Sequence, residues 1–174
     1  MMARGTTRQD RLGWLDEGLD TAADTGRIFL WVGCAPYWDA FFGDLGVRTL
    51  DGTRAAVRLL NRLGETPVVS PDERCCGHDL LFNGDEASFA ELARHNVELV
   101  RRSGAEMVVT ACAECARTWR VDYPRFADAP PVPMLHLTEL LAERLPALSL
   151  SPNGGRRVTY QDPCRLGRHL QVYD

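Results

Sequence analysis

The sequence predicts an α/β fold, a parallel, doubly wound (Rossmann-like) sheet with helices on both faces. Three observations predict it. Short β-branched apolar runs alternate with stretches of helical periodicity. The runs are apolar throughout, which suits strands buried on both faces. The cysteines fall just behind the ends of those runs, the edge on which such a sheet builds its sites.

Residues 1–25 read as a polar N-terminal segment or linker, with a short helical patch at Leu12, Trp14, Leu15 and Leu19. Strands are expected at Arg27–Gly33, Thr66–Ser70, Glu106–Thr110, Pro133–His136 and Arg157–Tyr160. Ala56, Leu59, Leu60 and Leu63 recur at helical spacing, and Gly64 stands where that helix would stop. Phe89, Leu92, Leu99 and Val100 predict a helix over Asp85–Ser103, ending at Gly104. Thr138 can cap a helix over Glu139–Leu145, closed by Pro146. Asp128–Pro133 and Ser151–Gly155 read as loops within one domain.

With 174 residues, the chain can bury a real hydrophobic core. A net charge of −4, with arginines scattered along the chain, argues against a nucleic-acid partner. There is no apolar run long enough for a membrane span and no signal-peptide pattern. A cytoplasmic, reducing compartment is the expected setting. There, clustered cysteines point to metal or redox chemistry more than to disulfides.

The cysteines are Cys34, Cys75, Cys76, Cys112, Cys115 and Cys164. Each follows an expected strand, apart from Cys115, which completes a Cys-x-x-Cys with Cys112. That pair at a strand-to-helix turn sets two sulfurs on one side, where a helix N-terminus favours the thiolate. Thiolates are soft ligands that select iron–sulfur clusters, zinc or copper(I). Adjacent Cys75 and Cys76 converge poorly on one small ion, whereas a multi-iron cluster has several corners to offer. Gly77 allows a sharp turn beside them. A four-thiolate zinc site stays open as the alternative, as does a dithiol at Cys112 and Cys115.

The spacing Cys34, forty residues, Cys75-Cys76-Gly77, thirty-four residues, Cys112-x-x-Cys115 resembles the cysteine-rich CCG domain. That domain occurs in the B subunit of heterodisulfide reductase and in iron–sulfur subunits of glycolate oxidase and related systems. The likeness runs from about Arg27 to Asp174, carried by Val32-Gly33-Cys34-Ala35-Pro36, Arg74-Cys75-Cys76-Gly77-His78 and Thr110-Ala111-Cys112-Ala113-Glu114-Cys115. It implies a [4Fe–4S] cluster of noncubane type, with Cys34, Cys75, Cys76, Cys112 and Cys115 as its ligands. It implies electron transfer to or from a partner or a thiol/disulfide substrate. The expected partners are other redox subunits or domains, ferredoxin-type or flavin-containing.

Family members usually carry two such modules. Tyr160 to Arg168 resembles the opening of a second, with Gln161 where histidine is usual and Cys164 as its first ligand. The resemblance therefore divides the chain into residues 1–25, a cysteine-rich iron–sulfur domain at 26–155, and the start of a truncated module at 156–174. It implies a piece of a larger oxidoreductase, which could itself be membrane-associated, rather than a complete enzyme. No catalytic residue is assigned.

Other residues have weaker readings. His78 could donate a hydrogen bond to cluster sulfur, and His136 reads as a satisfied core residue. His95 and His169 read as surface, and Glu114 as solvated. Trp31, Tyr37, Trp38, Phe41, Phe42 and Trp119 could form a dry shell. Arg74, Arg117 and Arg165 could offset cluster charge or be solvated.

Overall fold

The computed structural model describes residues 10–128, 130, 132–151, 154–155 and 157–173. The expectations for the first nine residues, and for Ala129, Pro131, Pro152, Asn153, Arg156 and Asp174, lie outside the described residues.

Three strands, β1 (Ile28–Trp31), β2 (Met107–Thr110) and β3 (Met134–His136), form one parallel sheet in that order. Phe29 lies opposite Val108, and Val109 opposite Leu135. The expected α/β class with a parallel sheet therefore holds. The Thr66–Ser70 run also reaches the sheet, on the free side of β1, but as isolated bridges from Val68 to Phe29 and Ala22. Val68 donates to Ile28 O at 2.8 Å and accepts from Leu30 N at 2.9 Å. Pro67 has no N–H to extend that ladder, and the chain bends away toward Pro71. Among the described residues the fifth expected strand does not form: Arg157–Tyr160 takes no strand partner there, and Val158 and Tyr160 are exposed.

The helices are α1 (Ala35–Phe42), α2 (Thr49–Arg62), α3 (His78–Phe82), α4 (Glu86–Ser103), α5 (Ala113–Arg117), α6 (Tyr123–Phe126) and α7 (Leu137–Glu143). A π-helical turn, Thr118–Asp122, joins α5 to α6. Pro124 accounts for it: the ring lacks an N–H and crowds the carbonyl four residues back, so the hydrogen-bond ladder widens. Asp85 caps α4 by accepting from Ser88 N at 3.1 Å, and Gly104 ends it at φ +66°. The cap of α7 is His136 rather than Thr138, so the helix begins two residues earlier than expected. The His136 side chain accepts from Thr138 N, and Glu139 reaches back to His136 N at 2.8 Å.

Alternate residues of β1 enter two separate apolar clusters. Ile28 and Leu30 pack with Val57 and Leu60 of α2 and Leu140 of α7. Phe29 and Trp31 pack with Phe89 and Val97 of α4 and with Trp119 and Tyr123. The sheet is thus covered on both sides, as the continuous apolar runs require. The 10–20 segment forms turns instead of the expected helical patch, yet Trp14 is buried and Arg54 Nε donates to its carbonyl at 2.9 Å.

Candidate metal centre

Each cysteine group is delivered by a strand end or a bend beside it. Cys34 lies three residues past β1 and starts α1; Cys112 lies two past β2 and starts α5. Cys75 and Cys76 precede α3, whose first turn begins at Gly77 with φ +84°. A left-handed backbone there suits glycine and turns the chain sharply after the pair. Gly77 N then donates to Cys75 Sγ at 3.3 Å.

The five thiols meet at the carboxyl edge of the sheet. Cys34 Sγ lies 3.0 Å from Cys75 Sγ. Cys75 interacts with Cys76, Cys76 with Cys115, and Cys115 with Cys112. Among the described residues, no three His, Cys, Asp or Glu side chains crowd one point as tightly as a single ion requires. The thiols form a chain of neighbours instead. Cys164 stands apart, exposed, at the start of a second π-helical turn, Arg165–His169, that packs on α5.

Proton sharing within the group is uneven. The hydrogen bond from Cys34, then one from Cys76, draws Cys75 down to about 3. Cys34 is pushed up by that same bond and by burial, so it keeps its proton. Cys112 falls to about 7 through its bond with Cys115, whose own thiol is raised by Cys112, Cys76 and burial. For Cys76 the bond from Cys115 lowers the value, but the bond to Cys75 and burial raise it further. Within the group the proton is thus held least tightly at Cys75 and more tightly at Cys34, Cys76 and Cys115. A metal that binds all five displaces the remaining protons.

The surrounding backbone is held by residues that periodicity alone does not single out. Glu73 is 1% exposed and accepts from Val32 N at 3.0 Å and Gly33 N at 2.5 Å. Burial lifts its carboxyl to about 7, against the lowering pull of Arg11 and the two N–H groups. Arg11 Nη2 bonds Glu73 at 3.1 Å and Gly33 O at 2.7 Å. Beneath the Cys75–Cys76 pair, Asn96 Nδ2 donates to Cys75 O at 3.0 Å, and Tyr123 Oη to Cys76 O at 3.0 Å. Burial, reinforced by Cys76, pushes the Tyr123 phenol up, so its hydroxyl stays a donor.

Two features fit a bulky sulfur-rich group. A Cβ on Gly33, at φ +66°, would stand 3.1 Å from Cys115 Sγ, so only glycine brings the backbone this close to the thiols. Trp31 Nε1 is a buried donor with no partner among the described residues.

The remaining candidates are distributed differently from the expectation. His78 Nδ1 is 4.0 Å from Cys76 Sγ and its Nε2 faces Asp79. Glu114 is partly solvated, as expected, and also pairs with Arg165 at 3.0 Å. Arg165 also lies over the Phe82 ring, and Arg117 pairs with buried Asp122. His136 is buried as expected; His169 is exposed, and His95 bonds Asp72 O at 2.8 Å. Trp31 and Trp119 are buried; in α1, Tyr37, Trp38 and Phe42 are half-buried and Phe41 is exposed, and Tyr37 stacks on Phe41 and Trp38 on Phe42. Glu73 and Arg11 could have been suspected from an acidic residue wedged between a bend and the Cys-Cys pair. Nothing in the sequence pairs them with each other.

Comparison with known proteins gives the same pattern a context. The family described as "Cysteine-rich domain" (CCG) matches residues 28–119. The D subunit of dihydromethanophenazine:CoB–CoM heterodisulfide reductase from Methanosarcina acetivorans is 35% identical over 176 residues, covering 96% of this chain. An EtfAB:quinone oxidoreductase from Syntrophomonas wolfei is 31% identical over 94% of the chain. A probable membrane-anchored ferredoxin from Chromohalobacter salexigens is also 31% identical over 94%. The chain spans 40%, 23% and 25% of these three proteins, respectively. No helix among the described residues is long and apolar enough to cross a membrane. No solved structure matches the chain. With that match over residues 28–119 and relatives at 31–35% identity along nearly its whole length, this chain belongs to the cysteine-rich CCG domain family.

Proposed function

We propose that this chain is the cluster-bearing part of an iron–sulfur electron-transfer protein related to heterodisulfide reductase. In this reading Cys34, Cys75, Cys76, Cys112 and Cys115 are the ligands of one [4Fe–4S] cluster of noncubane type. The observation that carries it is the convergence of the five thiols, with Cys34 and Cys75 in contact at 3.0 Å. The names of the relatives support it: heterodisulfide and quinone oxidoreductases, a ferredoxin, and an uncharacterized iron–sulfur protein. When bound, the cluster would supply reversible one-electron chemistry. The chain's own residues keep the ligands in place, exclude water through Trp31, Trp119 and Tyr123, and fix the Cys75–Cys76 backbone.

The module is residues 26–155, and residues 156–174 open a second one. The doubly wound layout belongs to the same reading, supported by the two apolar clusters on opposite faces of β1. Redox subunits or domains, ferredoxin-type or flavin-containing, are the partners, and reduction of a thiol/disulfide substrate is the reaction of the larger protein. Unpaired cysteines suit a cytoplasmic location.

Anaerobic purification with iron and acid-labile sulfide analysis and EPR tests the reading. Iron and sulfide near four each per chain support it. A protein with neither, holding one zinc tightly, overturns it. Cys75→Ser separates the two further: a zinc site on Cys34, Cys76, Cys112 and Cys115 survives, whereas a five-thiolate cluster loses iron or changes its spectrum.

A further inference from the structure

We propose that the indole N–H of Trp31 donates a hydrogen bond to sulfur at the Cys115 corner of the cluster site and thereby raises the reduction potential. The acceptor is Cys115 Sγ or an inorganic sulfide beside it. The inference rests on the reading of the five cysteines as cluster ligands.

Trp31 is 1% exposed, and its Nε1 finds no partner among the described residues. Buried N–H donors are almost always satisfied, because an unpaired one keeps its full desolvation penalty. Trp14 follows that rule, donating from Nε1 to Arg11 O at 2.8 Å. Trp31 does not, and its position suggests why. The point where a Cβ on Gly33 would sit is 3.7 Å from Trp31 Nε1 and 3.1 Å from Cys115 Sγ. The indole N–H and the thiol thus border the same small space, kept open by the missing side chain at residue 33.

The ring is not free to turn elsewhere. It stacks edge-on against Trp119 at 4.9 Å and packs near Phe29 at 6.0 Å. Its backbone is fixed in β1, and its carbonyl accepts from Thr110 Oγ1 at 3.0 Å. A donor locked beside cluster sulfur binds the reduced, more negative form more strongly, which shifts the potential upward. Trp119 also has a buried Nε1 without a partner among the described residues, so the test below separates the two indoles.

Trp31→Phe in the cluster-loaded chain tests this, with an EPR-monitored redox titration beside the wild type. Unchanged iron and sulfide with a lower midpoint potential is the expected result. Full loading with an unchanged potential overturns the proposal. Should Trp31→Phe fail to take up iron, the wild type labelled with ¹⁵N-indole tryptophan answers the question. A ¹⁵N coupling to the cluster that persists in Trp38→Phe and Trp119→Phe supports the proposal; no coupling overturns it. A wild type without iron or sulfide defeats the cluster reading, and this inference with it.

Discussion

The carboxylate of Glu73 accepts the backbone N–H of Gly33 at 2.5 Å across 40 residues of sequence, while Arg11 bonds the same oxygen at 3.1 Å. One buried acid thus holds the turn ahead of Cys34 close to the bend ahead of Cys75. Glu73→Ala takes the carboxylate from Arg11, which keeps only its bond to Gly33 O, and leaves two backbone donors without an acceptor. Breaking a buried pair in this way costs about 3–5 kcal/mol. Urea denaturation of the metal-free chain should show a loss of that order, with a smaller one for Glu73→Gln, which keeps one acceptor oxygen. In a double-mutant cycle with Arg11→Ala, the two losses should fall short of additive. A Glu73→Ala chain as stable as wild type would refute the clamp.

Gly33 and Gly84 share a left-handed backbone, at φ +66° and +82°, but only Gly33 faces a neighbour within 4 Å. Gly84→Ala should cost about 1–2 kcal/mol of conformational strain and leave iron loading intact. Gly33→Ala carries the same strain plus a methyl against Cys115 Sγ, so it should be less stable and load less iron. Thermal melts and iron analysis of the two variants separate the effects. Equal loading would show that the Gly33 approach does not matter to the thiols.

Tyr123→Phe removes the donor to Cys76 O without emptying the core. A buried carbonyl left unpaired costs about 1–3 kcal/mol. Asn96→Ala likewise breaks the Asn96–Tyr123 bond and frees one carbonyl, but it also empties buried volume, so it should cost more. Denaturant midpoints rank the two. The reverse order would contradict the network.

His136 makes α7 sensitive to acid. Burial holds its imidazole below the usual range, against the raising effect of a hydrogen bond to the Ala111 backbone. Its neutral Nδ1 accepts from Thr138 N at 3.3 Å. A folded-state value below that of the unfolded chain means stability that is present above about pH 6.5 and lost as pH falls through the folded value. His136→Asn keeps a capping acceptor that does not titrate. Denaturation midpoints measured from pH 7.5 to pH 5 should fall less for the variant than for wild type. Parallel curves would dismiss the histidine as the sensor.

Much of this was readable from the sequence because local signals and burial agreed. Ile28–Trp31 and Met107–Thr110 are apolar on both faces and are strands buried on both faces. Asp85 and Gly104 punctuate α4 as their chemistry predicts. Arg157–Tyr160 misled because β-branched residues describe a strand only where a surface awaits them, and Val158 is 83% exposed. The aromatic residues after Cys34 divide: Tyr37, Trp38 and Phe42 are half-buried, whereas Phe41 is 62% exposed, a distinction that composition alone does not make.

The cysteine site was legible in its ligands but not in its supports. Thiol spacing along the chain is a one-dimensional pattern. The Glu73–Arg11 pair joins residues 62 positions apart, and Tyr123 reaches Cys76 over 47. The π-helical turn that precedes Tyr123 also shifts its helical phase, so a regular 3.6-residue count would aim it elsewhere.

The tethers from Asn96 and Tyr123 have a thermodynamic consequence. Fixing one residue's backbone costs about 1–2 kcal/mol of conformational entropy. For Cys75 and Cys76 that loss occurs when the core forms, because their carbonyls are tied to α4 and to the helix after the π turn. What remains at the thiols is rotation about the side-chain bonds. Whatever they grip therefore meets a pair whose main chain was ordered in advance, and its binding free energy is not diminished by having to fold its own cradle.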